Sequence, residues 1–333
     1  MKKYISIILV ALICIGLFAS CSEKAQSDET DVSFTESVAQ KTNINIAVLK
    51  GPTGMGAAKL MEMNENDESK NSYIFTVATA PDQITAKLVS GELDMACIPS
   101  NAASALYNKT KGGVTLVAVN TLGVLYILEN GDSVENIKDL AGKKILASGK
   151  GSTAEYVLNY IIEKNGIKGV TVEYAAEHSE AAAQALSGKY DIVMLPEPFV
   201  TSTLKQNEKF KVKIDLTKEW KKLTGSELTM GAVAVRTNFY KENSEAVKNF
   251  LEDYKTSVDF TNNSIDEAAA LIEKYDIAAS AVAKSAIPNC NIVLITGEEM
   301  EKSVSDFLEV ISEFDASAIG GALPGDDFYY LGK

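Results

Sequence analysis

The sequence predicts an α/β protein of two similar doubly wound lobes with a cleft between them, and three observations carry that expectation. One segment occurs twice: Tyr73–Pro99 lies over Val170–Pro196 without a gap, 97 residues apart. Ala78, Ala86, Ser90, Gly91, Asp94 and Pro99 meet Ala175, Ala183, Ser187, Gly188, Asp191 and Pro196. Each copy reads apolar run, polar break, Ala-rich helical stretch, Ser-Gly-x-x-Asp, apolar run and Pro, which is strand, loop, helix, strand. The match extends upstream at a spacing of 100, where Ala47, Gly51 and Thr53 meet Ala147, Gly151 and Thr153. There an apolar strand again runs into a Gly-rich loop and a helix. Two such lobes facing each other make a cleft, and a cleft between lobes is a ligand site.

Along the chain, Ile44–Leu49, Tyr73–Thr79, Leu93–Ile98 and Val114–Val119 read as strands, with helices over Ala57–Met63, Asp82–Val89 and Ser100–Tyr107. The second lobe repeats this with strands at Lys144–Ala147, Val170–Tyr174 and Asp191–Leu195 and helices at Ser152–Asn165 and Ser179–Leu186. Strands alternating with helices predict parallel sheets. Met230–Arg236 reads as a strand that returns the chain to the first lobe. Asn238–Thr261, Ile265–Tyr275, Ala278–Ser285 and Glu298–Glu313 read as helices, before a Gly/Pro/aromatic tail from Ala316 to Lys333. The chain therefore crosses twice between lobes, near Val124–Asp132 and near Leu228–Arg236, which would form a hinge.

The ends carry a different message. Met1-Lys2-Lys3 is basic, Ile5–Phe18 is apolar but short for a membrane span, and small residues follow, as in a secretion signal. Phe18-Ala19-Ser20-Cys21 resembles a bacterial lipobox, with Phe18 where Leu is usual, so Cys21 would be lipidated and become the mature N-terminus. Ordinary secretion without an anchor is the alternative. Ser22–Lys41 is polar and lacks apolar periodicity, which reads as a tether reaching on the order of 25 Å. The expected organisation is a signal over residues 1–20, a lipid-anchored tether over 21–42, a first lobe from 43–125 and 236–333, and a second lobe over 126–235.

The formal net charge of −13 argues against nucleic acid and against electrostatic binding to anionic lipid. Of the cysteines, Cys97 and Cys290 lie in apolar runs and read as buried small hydrophobes. A disulfide between them is the other possibility.

In open sheets, ligands lie beyond the carboxyl ends of the strands. Gly51–Gly54 and Gly149–Thr153 each place Gly and a hydroxyl residue at a helix start, where free N–H groups and the helix dipole suit an anion. Thr53 and Ser152 would otherwise serve as helix caps. The candidate ligand-binding residues are Lys50, Gly51, Thr53, Gly54, Ser100, Asn101, Asn120, Thr121, Gly151, Ser152, Thr153 and Glu197. Ser100 and Asn101 offer donor and acceptor. Asn120 and Thr121 end a strand. Lys50 is either an anion partner or a surface lysine. Glu197, held between two prolines, suits a ligand amine, amidine or ring N–H, or is a solvated or interlobe charge. Tyr126, Tyr156 and Phe199 would stack on a planar ligand or simply pack. Trp220 reads as a packed anchor.

Enzyme signatures are sparse. The loops lack the ending of a phosphate-binding loop. No Gly-x-Ser-x-Gly elbow occurs, and no cluster has metal-ligand spacing. His178, the single histidine, sits in a polar loop and reads as an ordinary surface residue unless the cleft reaches it. No catalytic residue, metal or cofactor is expected.

Leu49-Lys50-Gly51-Pro52-Thr53-Gly54, Ile98-Pro99-Ser100-Asn101-Ala102-Ala103, Leu195-Pro196-Glu197-Pro198-Phe199, Ala286-Ile287-Pro288-Asn289-Cys290 and Gly320-Gly321-Ala322-Leu323-Pro324 together carry a family resemblance. From about Asn43 onward the chain resembles the extracytoplasmic substrate-binding proteins of ABC importers. Within these it is similar to the group that binds nitrate, alkanesulfonates, taurine and thiamine-pyrimidine precursors. The resemblance implies a type 2 periplasmic-binding fold and a monomer on the outer face of a bacterial membrane. It would capture a small anionic or heterocyclic molecule and deliver it to an ABC permease. A ligand-sensing receptor on the same lobes is the alternative. Related folds also include a thiamine-pyrimidine biosynthetic enzyme with a Cys-rich iron site, a motif this chain lacks.

Overall fold

A computed structural model describes residues 41–332. The expected signal, Cys21 and the tether up to residue 40 lie outside the described residues. The first lobe begins with β1 (Asn43–Leu49), α1 (Pro52–Met55), α2 (Ala58–Glu65), β2 (Ser72–Ala78), α3 (Asp82–Ser90), β3 (Met95–Pro99), α4 (Ser100–Thr110) and β4 (Val114–Leu122). The second holds β5 (Leu125–Asn130), β6 (Lys144–Ala147), α5 (Thr153–Lys164), β7 (Thr171–Tyr174), α6 (His178–Leu186), β8 (Ile192–Pro196), α7 (Phe199–Gln206), β9 (Phe210–Asp215) and α8 (Leu216–Thr224). The chain then returns through β10 (Thr229–Arg236), α9 (Thr237–Glu242), α10 (Ser244–Asn263), α11 (Ile265–Lys274), α12 (Ser280–Ala286), β11 (Ile292–Ile295) and α13 (Gly297–Asp315).

The sequence repeat is a structural repeat. Its two copies are β2–α3–β3 and β7–α6–β8. In both, the glycine of Ser-Gly ends the helix in the left-handed region, with φ 84° at Gly91 and 79° at Gly188, where a Cβ would be strained. The apolar runs that follow become β3 and β8, buried along nearly their whole length because helices cover both faces of the sheet.

The strands form two sheets, ordered β11-β4-β10-β3-β1-β2 and β7-β6-β8-β5-β9. They are mixed, which corrects the expectation of parallel sheets. β1 is parallel to β2 and β3, and β6 to β7 and β8, but β10 and β5 run antiparallel to their neighbours. The reason is where the chain changes lobes. Strands β1, β3, β6 and β8 run toward the cleft, whereas β5 and β10 start at a crossing beside it and run away. β10 pairs with β3 and β4 from its first residues, so it lies in the first sheet ahead of residue 236.

One crossing passes through Gly123 and Val124. A Cβ on Gly123 would come within 2.1 Å of Thr217 Oγ1, so the crossing needs glycine there. At the other side the lobes share a core. α13 of the first lobe lies on α5 and α8 of the second. Fully buried Trp220 has its ring 5.1 Å from Tyr160 and 5.5 Å from Phe307, and Tyr160 meets Phe314 edge-on at 5.8 Å. Trp220 is thus a packed anchor, on a helix whose other face is lysine-rich.

Among the described residues Cys97 and Cys290 are free thiols, both buried, and the disulfide between them does not form. Burial pushes the Cys97 thiol up to about 12. The helix expected over Asn238–Thr261 is two helices, because the chain turns at Asn243, with non-helical φ −134° and ψ 45°, between α9 and α10. The tail is tied down: Asn101, Ser104 and Asn108 bond the carbonyls of Ala318 and Ile319, and the Tyr330 N–H donates to the Leu116 carbonyl.

Candidate functional site in the interlobe cleft

A cavity of about 410 Å³ opens between the lobes. The first lobe supplies Lys50, Gly51 and Thr79 from the ends of β1 and β2, and Ile277, Ala278, Ala279 and Val282 from the α11–α12 region. The second supplies Glu177, His178 and Ser179 from the start of α6, and Pro198, Phe199 and Ser202 around α7. Carboxyl ends of strands from both sheets therefore face one space. The opposed walls approach closely: at Gly51, with φ 120°, an added Cβ would sit 3.9 Å from Pro198 Cδ.

Of the candidate residues, Lys50 and Gly51 line this cavity. The Lys50 ammonium is 2.8 Å from Asp276 Oδ2 at the rim. Thr53 lies behind it, buried, with its hydroxyl 3.2 Å from both the N–H and the carbonyl of Leu49. It does not cap α1, whose N-cap is Gly51. Gly54 is a packing glycine, since a Cβ would be 2.6 Å from the Leu49 carbonyl oxygen. Thr53, Asn120 and Thr121 converge on Gly231 of β10, where a Cβ would lie 2.6 Å from Asn120 Oδ1 and 3.1 Å from each threonine. Asn120 also donates to the Tyr254 hydroxyl at 3.3 Å.

Ser100 is fully buried, its hydroxyl without a partner among the described residues, and Asn101 is buried beside it at the start of α4. Asn101 Oδ1 accepts the Thr153 hydroxyl at 2.8 Å, which joins the lobes. Ser152 is the N-cap of α5. Its Oγ accepts from the Ala154 N–H at 3.4 Å and donates to the Gly149 carbonyl at 2.6 Å. Gly151 is exposed, and its N–H donates to Glu155 Oε2 at 2.6 Å. The α5 start thus spends these donors internally.

Glu197 is not a solvated charge. It is buried, and its two carboxylate oxygens accept from the Thr201 N–H at 3.1 Å and the Thr201 hydroxyl at 3.0 Å. Burial raises its carboxyl above the usual range, and the Thr201 bonds oppose that only in part. Burial also lifts the nearby Tyr126 hydroxyl to about 12, with the Asp215 and Glu197 charges adding to it.

The cleft reaches His178, the condition under which the sequence set the surface reading aside. His178 opens α6, with one edge on the cavity and the rest packed, and burial lowers its pKa to about 4. Its Nδ1 is 2.6 Å from the hydroxyl of fully buried Ser148, and its ring is 5.5 Å from Phe199. An imidazole that stays neutral can both donate and accept one hydrogen bond. Thr79, Ser179, Ser202 and the Ile277–Val282 wall also escaped the sequence reading. Thr79 ends the first repeat strand and was within reach of the strand-end rule. The α11–α12 wall carried no such signal.

The family described as menaquinone biosynthesis matches residues 57–313, most of the folded chain. The chain belongs to that family. No curated protein matches it. Its fold is shared with solved periplasmic binding proteins. An ABC transporter protein from Parabacteroides distasonis superposes with a TM-score of 0.73 at 23% identity, covering 88% of this chain and 100% of that one. The periplasmic aliphatic sulphonate binding protein SsuA from Escherichia coli gives 0.71 at 16% identity, covering 87% and 92%. The CA3427 gene product of Candida albicans, described as having the generic periplasmic binding protein fold, gives 0.57 at 15% identity, covering 86% and 92%. These likenesses establish a type 2 periplasmic-binding fold of two lobes about a cleft.

Proposed function

We propose that the chain is an extracytoplasmic solute-binding lipoprotein, which captures a small molecule between its lobes and delivers it to an ABC permease. The observation that carries this reading is the cavity walled from both lobes, at the carboxyl ends of their strands. A molecule seated there touches both walls and so favours the closed arrangement, and a permease can then read closure as occupancy. The described relatives named as binding proteins support the same reading. So do the signal-like start and Cys21, which would hold the domain at a membrane. The ligand contacts are assigned to Lys50 and Gly51, with Thr53, Asn101, Asn120, Thr121, Thr153 and Glu197 buried behind the lining. Native mass spectrometry of the purified protein, with small-angle scattering before and after removal of whatever copurifies, tests it. A bound small molecule and a smaller radius of gyration in its presence are expected. An unchanged radius would remove closure as the signal.

The family description favours a second reading, an enzyme of menaquinone biosynthesis, with neutral His178 as a proton acceptor at the cavity wall. Incubation of the copurified molecule with fresh protein separates the two. Its conversion supports the enzyme, and its recovery intact supports binding.

A further inference from the structure

We propose that His178, oriented by Ser148, reads the polar edge of the bound molecule while Phe199 covers its face, so that the cleft selects an uncharged planar ligand over an oxyanion. The inference rests on the solute-binding reading and adds the ligand class to it.

The geometry begins with Ser148. It is fully buried, and its hydroxyl lies 2.6 Å from His178 Nδ1. That contact fixes the ring and leaves Nε2 as the nitrogen with no protein partner among the described residues. His178 borders the cavity, so Nε2 is free for a ligand there. The Phe199 ring, 5.5 Å away and tilted by 47°, forms the adjoining wall, and Pro198, Ile277 and Val282 continue it as apolar surface. A flat molecule fits such a slot, gaining contact on its face and one directed bond at its edge.

The donors that the sequence offered an anion are taken up within the protein. The Thr53 hydroxyl is committed to Leu49, the Ser152 hydroxyl to Gly149, the Gly151 N–H to Glu155 and the Thr153 hydroxyl to Asn101. The charged side chains on the cavity wall are Lys50 and Glu177, of opposite sign, and Lys50 already faces Asp276. An oxyanion moved into this lining would lose its hydration without a dedicated countercharge. The imidazole supplies none, because burial keeps it neutral to about pH 4.

The test is calorimetric titration with indole and coumarin as uncharged planar probes, and with ethanesulfonate and nitrate as anions. At least one planar probe should bind and the anions should not. Its affinity should hold from about pH 8 to about pH 5.5, where an ordinary histidine would titrate. His178→Ala should weaken it about tenfold, and Ser148→Ala by a smaller factor of about three, through loss of one directed bond and of its orientation. His178→Gln, which keeps a polar group near the Nε2 position, should retain most of the affinity and the wild-type melting temperature. Binding of ethanesulfonate or nitrate without the planar probes overturns the inference and leaves solute binding standing. Planar-probe binding untouched by His178→Ala also overturns it. No binding by any probe overturns it too, and if copurified material is also absent, the solute-binding reading falls with it.

Discussion

Thr153 of the second lobe donates its hydroxyl to Asn101 Oδ1 of the first at 2.8 Å, with both side chains buried. The other end of the same amide donates to the Ala318 carbonyl at 3.1 Å. One asparagine therefore joins the start of α5, the start of α4 and the C-terminal tail. The bond lies in the lobe interface, between the starts of two helices.

Thr153→Val keeps the shape and removes the donor, leaving Asn101 Oδ1 buried without it. Such a loss costs about 1–3 kcal/mol. The variant should melt lower and show a larger radius of gyration in the absence of ligand. A lower melting temperature with an unchanged radius would mean that the bond stabilises the fold but does not hold the lobes together.

His178 should make the protein acid-sensitive. Its pKa is about 4 in the folded chain against 6.5 as a reference, so between those values the unfolded chain binds the extra proton. The contribution is fully present above about pH 6.5 and is lost as pH falls toward about 4, on the order of 3 kcal/mol in all. Urea midpoints for His178→Gln should fall less steeply across that window than those of the wild type.

Glu197 acts in the opposite sense. Its carboxyl is raised by burial, so stability is greatest below the ordinary carboxylate pKa and declines as pH rises through the folded-state value. Glu197→Gln should therefore stabilise the protein at neutral pH and give no gain in acid. A variant less stable at neutral pH would show that the two Thr201 bonds outweigh the burial of the charge.

Phe307→Ala removes the ring that α13 places 5.5 Å from Trp220. Deleting a buried phenylalanine costs about 3–5 kcal/mol. Because this contact spans the lobes, thermal unfolding should change from one transition toward two as the lobes uncouple. A single transition at a lower temperature would place the effect within one lobe.

Cys21→Ala tests the proposed anchor. The wild-type protein should partition with membranes and the variant should appear in the soluble extracytoplasmic fraction with the same melting curve. Wild-type protein found wholly in the soluble fraction would remove the anchor.

The repeat alone determined the fold class, because its apolar periods, its Ser-Gly helix ends and its terminal prolines are local features that each copy states in full. The same rule of strand ends led to Lys50 and Gly51 at the cavity. Direction of pairing was decided only in three dimensions: β5 and β10 are antiparallel because the chain enters them at the cleft, which no periodicity records. Thr53, Ser152 and Glu197 showed their residue types in the sequence, but not that Leu49, Gly149 and Thr201 would take up their hydrogen bonds. His178 was ambiguous for the same reason. A histidine in a polar loop is a surface residue until a buried serine 30 positions away meets its Nδ1 and a phenylalanine 21 positions away closes over its ring. Local patterns fix which element forms, since they depend on neighbours along the chain. Protonation, partnering and the cavity wall depend on atoms brought together from distant segments, and only packing supplies those.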